Sequence, residues 1–561
     1  MAKPKPASAS KPVVPRSHTG DWLATAGAAL VMLAFAVSLV FIVRGPHQVG
    51  AFDVESDFYG GYAPAAVDLA HGRMLNEHGR LPALYGFVGP LYPALLAAGG
   101  VAHPDVFEVA ESLSVLAAVV TLLAWFLLLR RRLGAFAGFV AIVLLATNPV
   151  FLRYGYSVTT DATALMFQSL AMLLWCTSAG TAAALGAGAL TGLALLTRYN
   201  SVYLLPAAAL VLFTGGTEHR ERGRALAFYA LGALALALPW QVFARTHGGE
   251  MQFHQLLAFD VYARAQGMDW DAFLQNVWPR YEHAPMTVLT SDPARVARRL
   301  LFNLTDHARN DARLLLGMPL AWAAALMPLL AIFDQRVRRA APLVGAGMLA
   351  YLALLPAAHN ERYSLMLLPY AVAMAAATLT VWPWARSEAV LMRAARVAVV
   401  VALAVPAARA SLKLQSYVLD QQPLETLRCA ERLRALARSG DRAVARKPNF
   451  AFHAGVGAVY FPPVDSLPAL AAHMRAEHAR WLFFSTAEAQ LRPAMAFLLD
   501  TTANVPGLTR RAVERSAANL DGLDWQRLAV LYEAGPDFGT APTWWSDPRE
   551  RTLHTLRGMA A

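Results

Sequence analysis

The sequence predicts a mainly α, polytopic membrane protein of about eleven transmembrane helices, with a small extracytoplasmic α/β domain at its C-terminal end. Three observations predict it. The first is composition: of 561 residues, 57% are hydrophobic and only 16% charged, with mean hydropathy +0.38. Soluble domains carry about 25% charged residues. The second is the spacing of apolar runs, and the third is the grouping of Arg and Lys in short joins between them. The net charge of +11 sits largely in those joins. That placement serves topology and excludes nucleic acid as the explanation of the charge.

Apolar stretches of about 17–25 residues can span a bilayer as helices. They fall at 22–43, 109–129, 134–150, 160–178, 181–197, 200–214, 225–244, 314–333, 340–357, 364–384 and 390–408. The first is too long for a signal-peptide core and lacks a small-residue cleavage site, so it reads as a retained anchor. Lys3, Lys5, Lys11 and Arg16 precede it, and Arg130–Arg132 follow the second stretch. Further clusters are Arg220, Arg222 and Arg224; Arg336, Arg338 and Arg339; and Arg386, Arg393 and Arg396. Eleven spans put all of them on one side, which the positive-inside rule makes cytoplasmic. The N-terminus is then cytoplasmic, with residues 1–18 a disordered tail, and residues 19–408 form the membrane domain. The large outer loops are 44–108 and 245–313, and residues 409–561 lie outside as an α/β domain. In that tail, short apolar runs such as "ARWLFFSTAEAQ" alternate with helical stretches such as Leu424–Ser439. The two cysteines, Cys176 and Cys429, form no framework.

The polar residues that stand out lie on the outer face. Just past the first span, "AFDVESDFYGGYAPAAVDLAHG" carries Asp53, Glu55 and Asp57, then Phe58 and Tyr59. Ser56 or Asp57 is a natural N-cap for the short helix that follows. Asp161, in "YSVTTDATALMF", opens the fourth span, where Thr159 or Thr160 can cap and the helix dipole favours a carboxylate. Acids at membrane depth tend to be functional, and two at one depth are harder to dismiss as caps. Arg198 in "LLTRYNS" and Arg362 in "AAHNERYSLMLLP" also fall at outer span ends, each followed by Tyr, here Tyr199 and Tyr363. Snorkelling explains either alone. With His359 they would make a cationic pocket for an anionic headgroup, and the Arg fork suits phosphate. His71, His78 and His103 are scattered and show no metal-ligand spacing, so no metal residues are assigned. Tyr85–Gly100 is broken by Gly and Pro and predicts an interfacial or re-entrant segment. Pro293–Asn310 is amphipathic, with Arg295, Arg298 and Arg299 opposed to Leu300, Leu301 and Leu304, and predicts an interfacial anchor or a lid.

In order along the chain, "SDFYGGYAPAAVDLAHG", "YGFVGPLYPALLA", "NPVFLRYGYSVTTDATALMF", "LTRYNSVYLLPAA" and "ERYSLMLLP" resemble GT-C fold membrane glycosyltransferases. The likeness is to the bacterial branch related to protein O-mannosyltransferases and lipid A aminoarabinose transferases, over roughly residues 20–410. It implies a sugar donor on polyprenyl phosphate, a cell-envelope acceptor (glycan, lipid or protein), and an acid in the first outer loop as catalytic base. Asp57 is the matching position, with Asp161 as second catalytic acid and Arg198, Arg362, Tyr363, His359, Tyr59 and Glu55 as substrate-binding residues. Phe58 stands where many relatives carry a second acid, so either Glu55 or Asp53 substitutes for it or the second acid is dispensable. "VARKPNFAFHAG" resembles the outer α/β domain that many bacterial relatives carry above the catalytic cavity.

The reading is thus a lipid-phosphate-sugar-dependent glycosyltransferase in the bacterial inner membrane, working at its outer face. Its partners are the donor, the acceptor and membrane lipids, with no nucleic acid. No cofactor is assigned, a divalent cation being the one open choice. The alternative from another class is a multi-pass transporter or lipid flippase. Transporters place ionisable groups near the midplane within inverted repeats, whereas these acids and arginines sit at span ends and no repeat is visible.

Overall fold

The computed structural model describes residues 18–51, 54–103, 105–214, 219–249, 252–268, 270–381, 390–502, 504–520, 523–540 and 553. The N-terminal tail through residue 17, Asp53 and most of "TAPTWWSDPRE" lie outside the described residues. Each of the eleven apolar segments carries a helix. Helix α1 is His18–Arg44, and the first outer loop holds α2 (Ala63–Ala70) and α3 (Leu91–Ala102). Next come α4 (Val106–Arg132), α5 (Ala135–Ala146), the short α6 (Pro149–Tyr154), α7 (Thr160–Thr177), α8 (Thr181–Thr197), α9 (Leu204–Thr214) and α10 (His219–Thr246). The expected outer loop 245–313 holds α11 (Phe253–Tyr262), α12 (Trp270–Asn276), α13 (Pro285–Thr290) and α14 (Pro293–Asn310). Helices α15 (Met318–Phe333), α16 (Gln335–Arg338), α17 (Ala341–Leu352), α18 (Glu361–Ser364), α19 (Leu368–Val381) and α20 (Val390–Asp420) complete the apolar part.

Among the described residues, five stretches are long and apolar enough to cross a membrane: Asp21–Arg44, Val106–Arg132, Glu221–Thr246, Glu361–Thr380 and Ala394–Leu436. Several other apolar segments form shorter helices of 10–17 residues. Tight joins explain the shortness. Asn148 caps α6, accepting from the N–H groups of Val150 and Phe151 at 3.0 Å each, with Pro149 at the first helical position. Small residues let the helices approach closely, as packing between apolar helices requires. A Cβ on Gly188 would lie 2.0 Å from the Tyr229 carbonyl oxygen, and one on Gly232 2.2 Å from that of Leu185. At that crossing of α8 and α10 the Thr191 and Tyr229 hydroxyls bond at 2.6 Å.

Tyr85–Gly100, expected as an interfacial or re-entrant segment, is largely helical. After a 3-10 turn at Ala83–Gly86 it becomes α3, whose Tyr92 and Leu96 are buried with Tyr62 and Phe107. Pro93 lies in the first turn of α3, where its missing N–H costs nothing. Helix α14 is amphipathic as expected, with Leu301 and Phe302 exposed, but Arg299 does not join the polar surface. It turns inward to form a bidentate pair with buried Asp260 at 2.6 and 2.7 Å.

Helix α20 runs through to Asp420, beyond the expected boundary at residue 408. The chain then forms α21 (Leu424–Leu436), β1 (Arg442–Ala445), α22 (Asn449–Ala454), β2 (Gly457–Tyr460), α23 (Leu467–Ala476), β3 (Trp481–Ser485), α24 (Thr486–Leu491), β4 (Leu508–Leu520) and β5 (Leu523–Ala534). The sheet order is β2-β1-β3-β5-β4, with β1 parallel to β2 and β3 and the other pairs antiparallel. Strand β3 is buried at all five positions, hence its unbroken apolar sequence "WLFFS". Leu482 and Phe484 face the core beneath α23, while Trp481 and Phe483 face the one shared with α21 and α22.

This domain is seated on the first outer loop. The Gln422 side chain donates to the Pro46 carbonyl at 2.6 Å and accepts from the N–H groups of Gln48 and Val49. Asn449 donates to the Gly50 carbonyl at 3.2 Å, and the Phe452 ring packs edge-on against Phe58 and Tyr59. The segment "VARKPNFAFHAG" is therefore the docking element.

Candidate functional site

Five of the sequence-predicted residues meet in one cluster, four of them charged. Arg362 lies in α18, whose N-cap Asn360 accepts from the Arg362 N–H at 2.9 Å and so fixes where the side chain leaves. Its Nε donates to Asp161 Oδ2 at 2.7 Å, and its Nη1 donates to Asp57 Oδ2 at 3.0 Å and to the Val54 carbonyl at 3.3 Å. Arg198, at the break between α8 and the following 3-10 turn, places Nη1 2.5 Å from Asp161 Oδ1 and 3.2 Å from Thr160 Oγ1. Its guanidinium also lies over the Tyr363 ring, 5.4 Å from the centroid. The chain reaches this point from four separate segments, and charge pairing holds them together.

The two acids differ in setting. Asp161 sits in the first turn of α7 and is 6% exposed, with both oxygens engaged by arginine. Thr159 stands at the N-cap but makes no side-chain cap bond. Asp161, expected as a second catalytic acid, has both carboxylate oxygens committed to arginine. Asp57 also makes no cap bond, and its side chain is 53% exposed. Its Oδ2 accepts from Arg362. Two aspartates and two arginines bring the cluster to net zero, so it is not the purely cationic pocket expected from the sequence.

Three other expected residues stand elsewhere. Glu55 is fully buried and away from solvent, a correction to its expected place at substrate. Its oxygens accept from Arg153 Nη2 at 2.9 Å and from the Ala51 and Val158 N–H groups, with His47 Nε2 at 3.5 Å. Burial pushes its carboxyl toward protonation, but Arg153 and His47 outweigh that and hold it well below the usual carboxylate range. His47 shifts the other way: burial alone would lower its imidazole, but Glu55 and Glu111 prevail and raise it. Tyr59 is also buried; its hydroxyl accepts from the Gly50 N–H at 2.8 Å and meets His453 Nε2 at 3.3 Å. His359 does not join the arginines but pairs with Asp311 at 3.0 Å, beside His307.

Sequence reading missed Arg153, His47 and Glu111, which with Glu55 form the buried frame behind Asp57. Only "FLRYGY", an Arg inside an apolar stretch, signalled any of it. It also missed His307 and Asp311, whose four-residue spacing on one helical face was the available clue.

The family profile described as dolichyl-phosphate-mannose-protein mannosyltransferase matches residues 89–243, a stretch that includes Asp161 and Arg198 but not Asp57 or Arg362. No match is found among curated protein sequences. Among solved structures, ArnT from Cupriavidus metallidurans bound to undecaprenyl phosphate is similar, with a TM-score of 0.54 at 16% identity, covering 92% of this chain and 98% of that one. The oligosaccharyltransferase of Archaeoglobus fulgidus in its apo form gives 0.59 at 12% identity, covering 86% and 72%. The AglB oligosaccharyltransferase of Archaeoglobus fulgidus, in complex with an inhibitory peptide and a dolichol-phosphate, gives 0.55 at 12% identity, covering 91% and 74%.

Proposed function

Starting from the GT-C glycosyltransferase fold that these likenesses show, we propose that this chain transfers a sugar from a polyprenyl-phosphate donor to a cell-envelope acceptor. The reaction takes place at the outer face of the bacterial inner membrane, with Asp57 as general base. The observation that carries the reading is the Asp57–Arg362–Asp161–Arg198 cluster, in which Asp57 alone is more than half exposed in its side chain. Lipid phosphates in the similar structures, undecaprenyl phosphate in one and dolichol-phosphate in another, support the donor class.

The chemistry balances on these residues. An acceptor hydroxyl attacks the sugar C1 while its proton passes to Asp57, and the C1–O bond to the phosphate breaks. The leaving phosphate gains one negative charge as Asp57 loses one. Arg362, relieved of one counter-charge, becomes a better partner for the phosphate at that moment. Such a donor strengthens as charge develops, which is what lowers a barrier. The two guanidinia bond the acids through Nε and Nη1 of Arg362 and Nη1 of Arg198, and the Arg fork offers further N–H donors suited to phosphate oxygens. Asp161 keeps both in register.

The test is mass spectrometry of lipids from a deletion strain. Polyprenyl-phosphate sugar should accumulate and clear on complementation with the wild-type gene, but not with Asp57→Asn at equal protein level. Absence of accumulation rejects the donor; complementation by Asp57→Asn rejects the base.

A further inference from the structure

The geometry points to a divalent transition-metal site, of the Zn²⁺ class, formed by His307, Asp311 and His359. One donor atom from each residue lies within 4.8 Å of the others, and His359 Nε2 is already 3.0 Å from Asp311 Oδ1. A tetrahedral ion with bonds of ~2.0–2.1 Å spaces its donors at roughly 3.3 Å, so small side-chain adjustments close the site. His307 and Asp311 are buried, and His359 nearly so in its side chain.

Unsatisfied atoms are the second, independent observation. His307 donates through Nε2 to the Ala357 carbonyl at 2.9 Å, which leaves Nδ1 as the lone-pair nitrogen. That Nδ1 is buried without a partner, and so is Asp311 Oδ2. Both atoms are acceptors, so they cannot satisfy each other. Leaving two buried acceptors empty is costly, and a cation satisfies both. A ring N–H fixed on a backbone carbonyl is also the outer-shell arrangement that orients metal-bound imidazoles. Two imidazoles and a carboxylate suit a borderline ion better than Mg²⁺ or Ca²⁺, which prefer all-oxygen sets.

The site has a structural consequence. His307 and Asp311 belong to the end of α14 and the π-turn that follows it, and His359 immediately precedes Asn360, the cap of α18. An ion there clamps the end of α14 to the segment presenting Arg362. Only this positioning clause rests on the function proposed above; metal binding itself does not.

The experiment uses the full chain, purified in detergent through a tag free of histidine, with metal content measured by plasma mass spectrometry. We expect about one Zn²⁺ per chain, lost to a strong chelator with a fall in melting temperature and regained, with the temperature, on adding Zn²⁺ alone. His307→Gln and His359→Gln should each weaken Zn²⁺ binding at least ~10–100-fold, while exposed His103→Gln should not. Co²⁺ loaded into the stripped wild-type protein should give the intense visible bands of a tetrahedral site, a readout that needs no variant to fold. Wild-type protein with neither bound metal nor a Zn²⁺-dependent melting shift overturns the proposal. So does metal content unchanged in both His307→Gln and His359→Gln.

Discussion

Glu55 and Asp57 stand two residues apart, and the structure gives them opposite surroundings. Glu55 neutralises a buried arginine, so Glu55→Gln should leave Arg153 uncompensated and destabilise the protein by about 3–5 kcal/mol. Asp57→Asn removes a half-exposed carboxylate and should leave the melting temperature within a few degrees while reducing transfer ~10²–10⁴-fold. Measuring both quantities on both variants separates base from frame; a stable, active Asp57→Asn protein would end the assignment. Arg362→Ala should raise the donor KM, since a charge-assisted bond to phosphate is worth about 1.5–3 kcal/mol, and Arg362→Lys should restore only part because Lys lacks the fork. A donor KM unchanged in both would remove the phosphate role. At this scale the sequence showed residues with a motif context and not those without one. Asp57, Asp161, Arg198 and Arg362 each carry a neighbouring aromatic or a span end. His47 and Glu111 are meaningful only through partners 64 residues apart in the chain, a pairing no local pattern encodes.

Among the elements, the helices were the most legible, because a run of apolar residues long enough to span a bilayer has few other fates. The joins were less so: α20 continues past 408 because "SLKLQSYVLD" is a sound helix former even though its hydropathy falls. Least legible was the seat of α22, where Phe452 and His453 meet Phe58, Tyr59 and Phe107. An apolar face on a six-residue helix does not announce its partner. This contact has a pH dependence. Burial lowers the His453 imidazole to about 4, so it is neutral when docked and charges more readily when released. The undocked state then binds more protons between about pH 6.5 and 4, and stability rises with pH across that window. The contribution is full above 6.5, is lost on acidification toward 4, and is roughly 1–2 kcal/mol given the residue's partial exposure. Proteolysis of the tail in detergent should therefore quicken from pH 7.5 to pH 5 in wild type and lose much of that dependence in His453→Gln. Equal acceleration in both would place the acid sensitivity elsewhere.

For the whole molecule, the decisive relation is that the candidate-site charges gather at the start of α7, while Arg131 and Arg132 bind its far end. Arg131 and Arg132 at the end of α4 bond Thr177 and the Cys176 carbonyl at the end of α7, whereas Asp161 begins α7 beside Arg198 and Arg362. The tail sits on the site end, through Gln422 and Asn449 on the loop that carries Asp57. Its orientation and that of Asp57 are therefore one question. The positive-inside rule assigns the Arg131 end to the cytoplasm, which sends both outward. Both cysteines are buried, so they are poor labels, and their removal is a modest change. Exposed Ala476, at the end of α23, is a suitable probe position. In a Cys176→Ala, Cys429→Ala background, Ala476→Cys should react with a membrane-impermeant thiol reagent in cells whose outer membrane alone is permeabilised. A cysteine introduced at exposed Arg130 should react only after the inner membrane is opened. The reverse pattern would put Asp57 in the cytoplasm, facing soluble nucleotide sugars instead of a lipid-borne one, and the proposed donor class would fall with the topology.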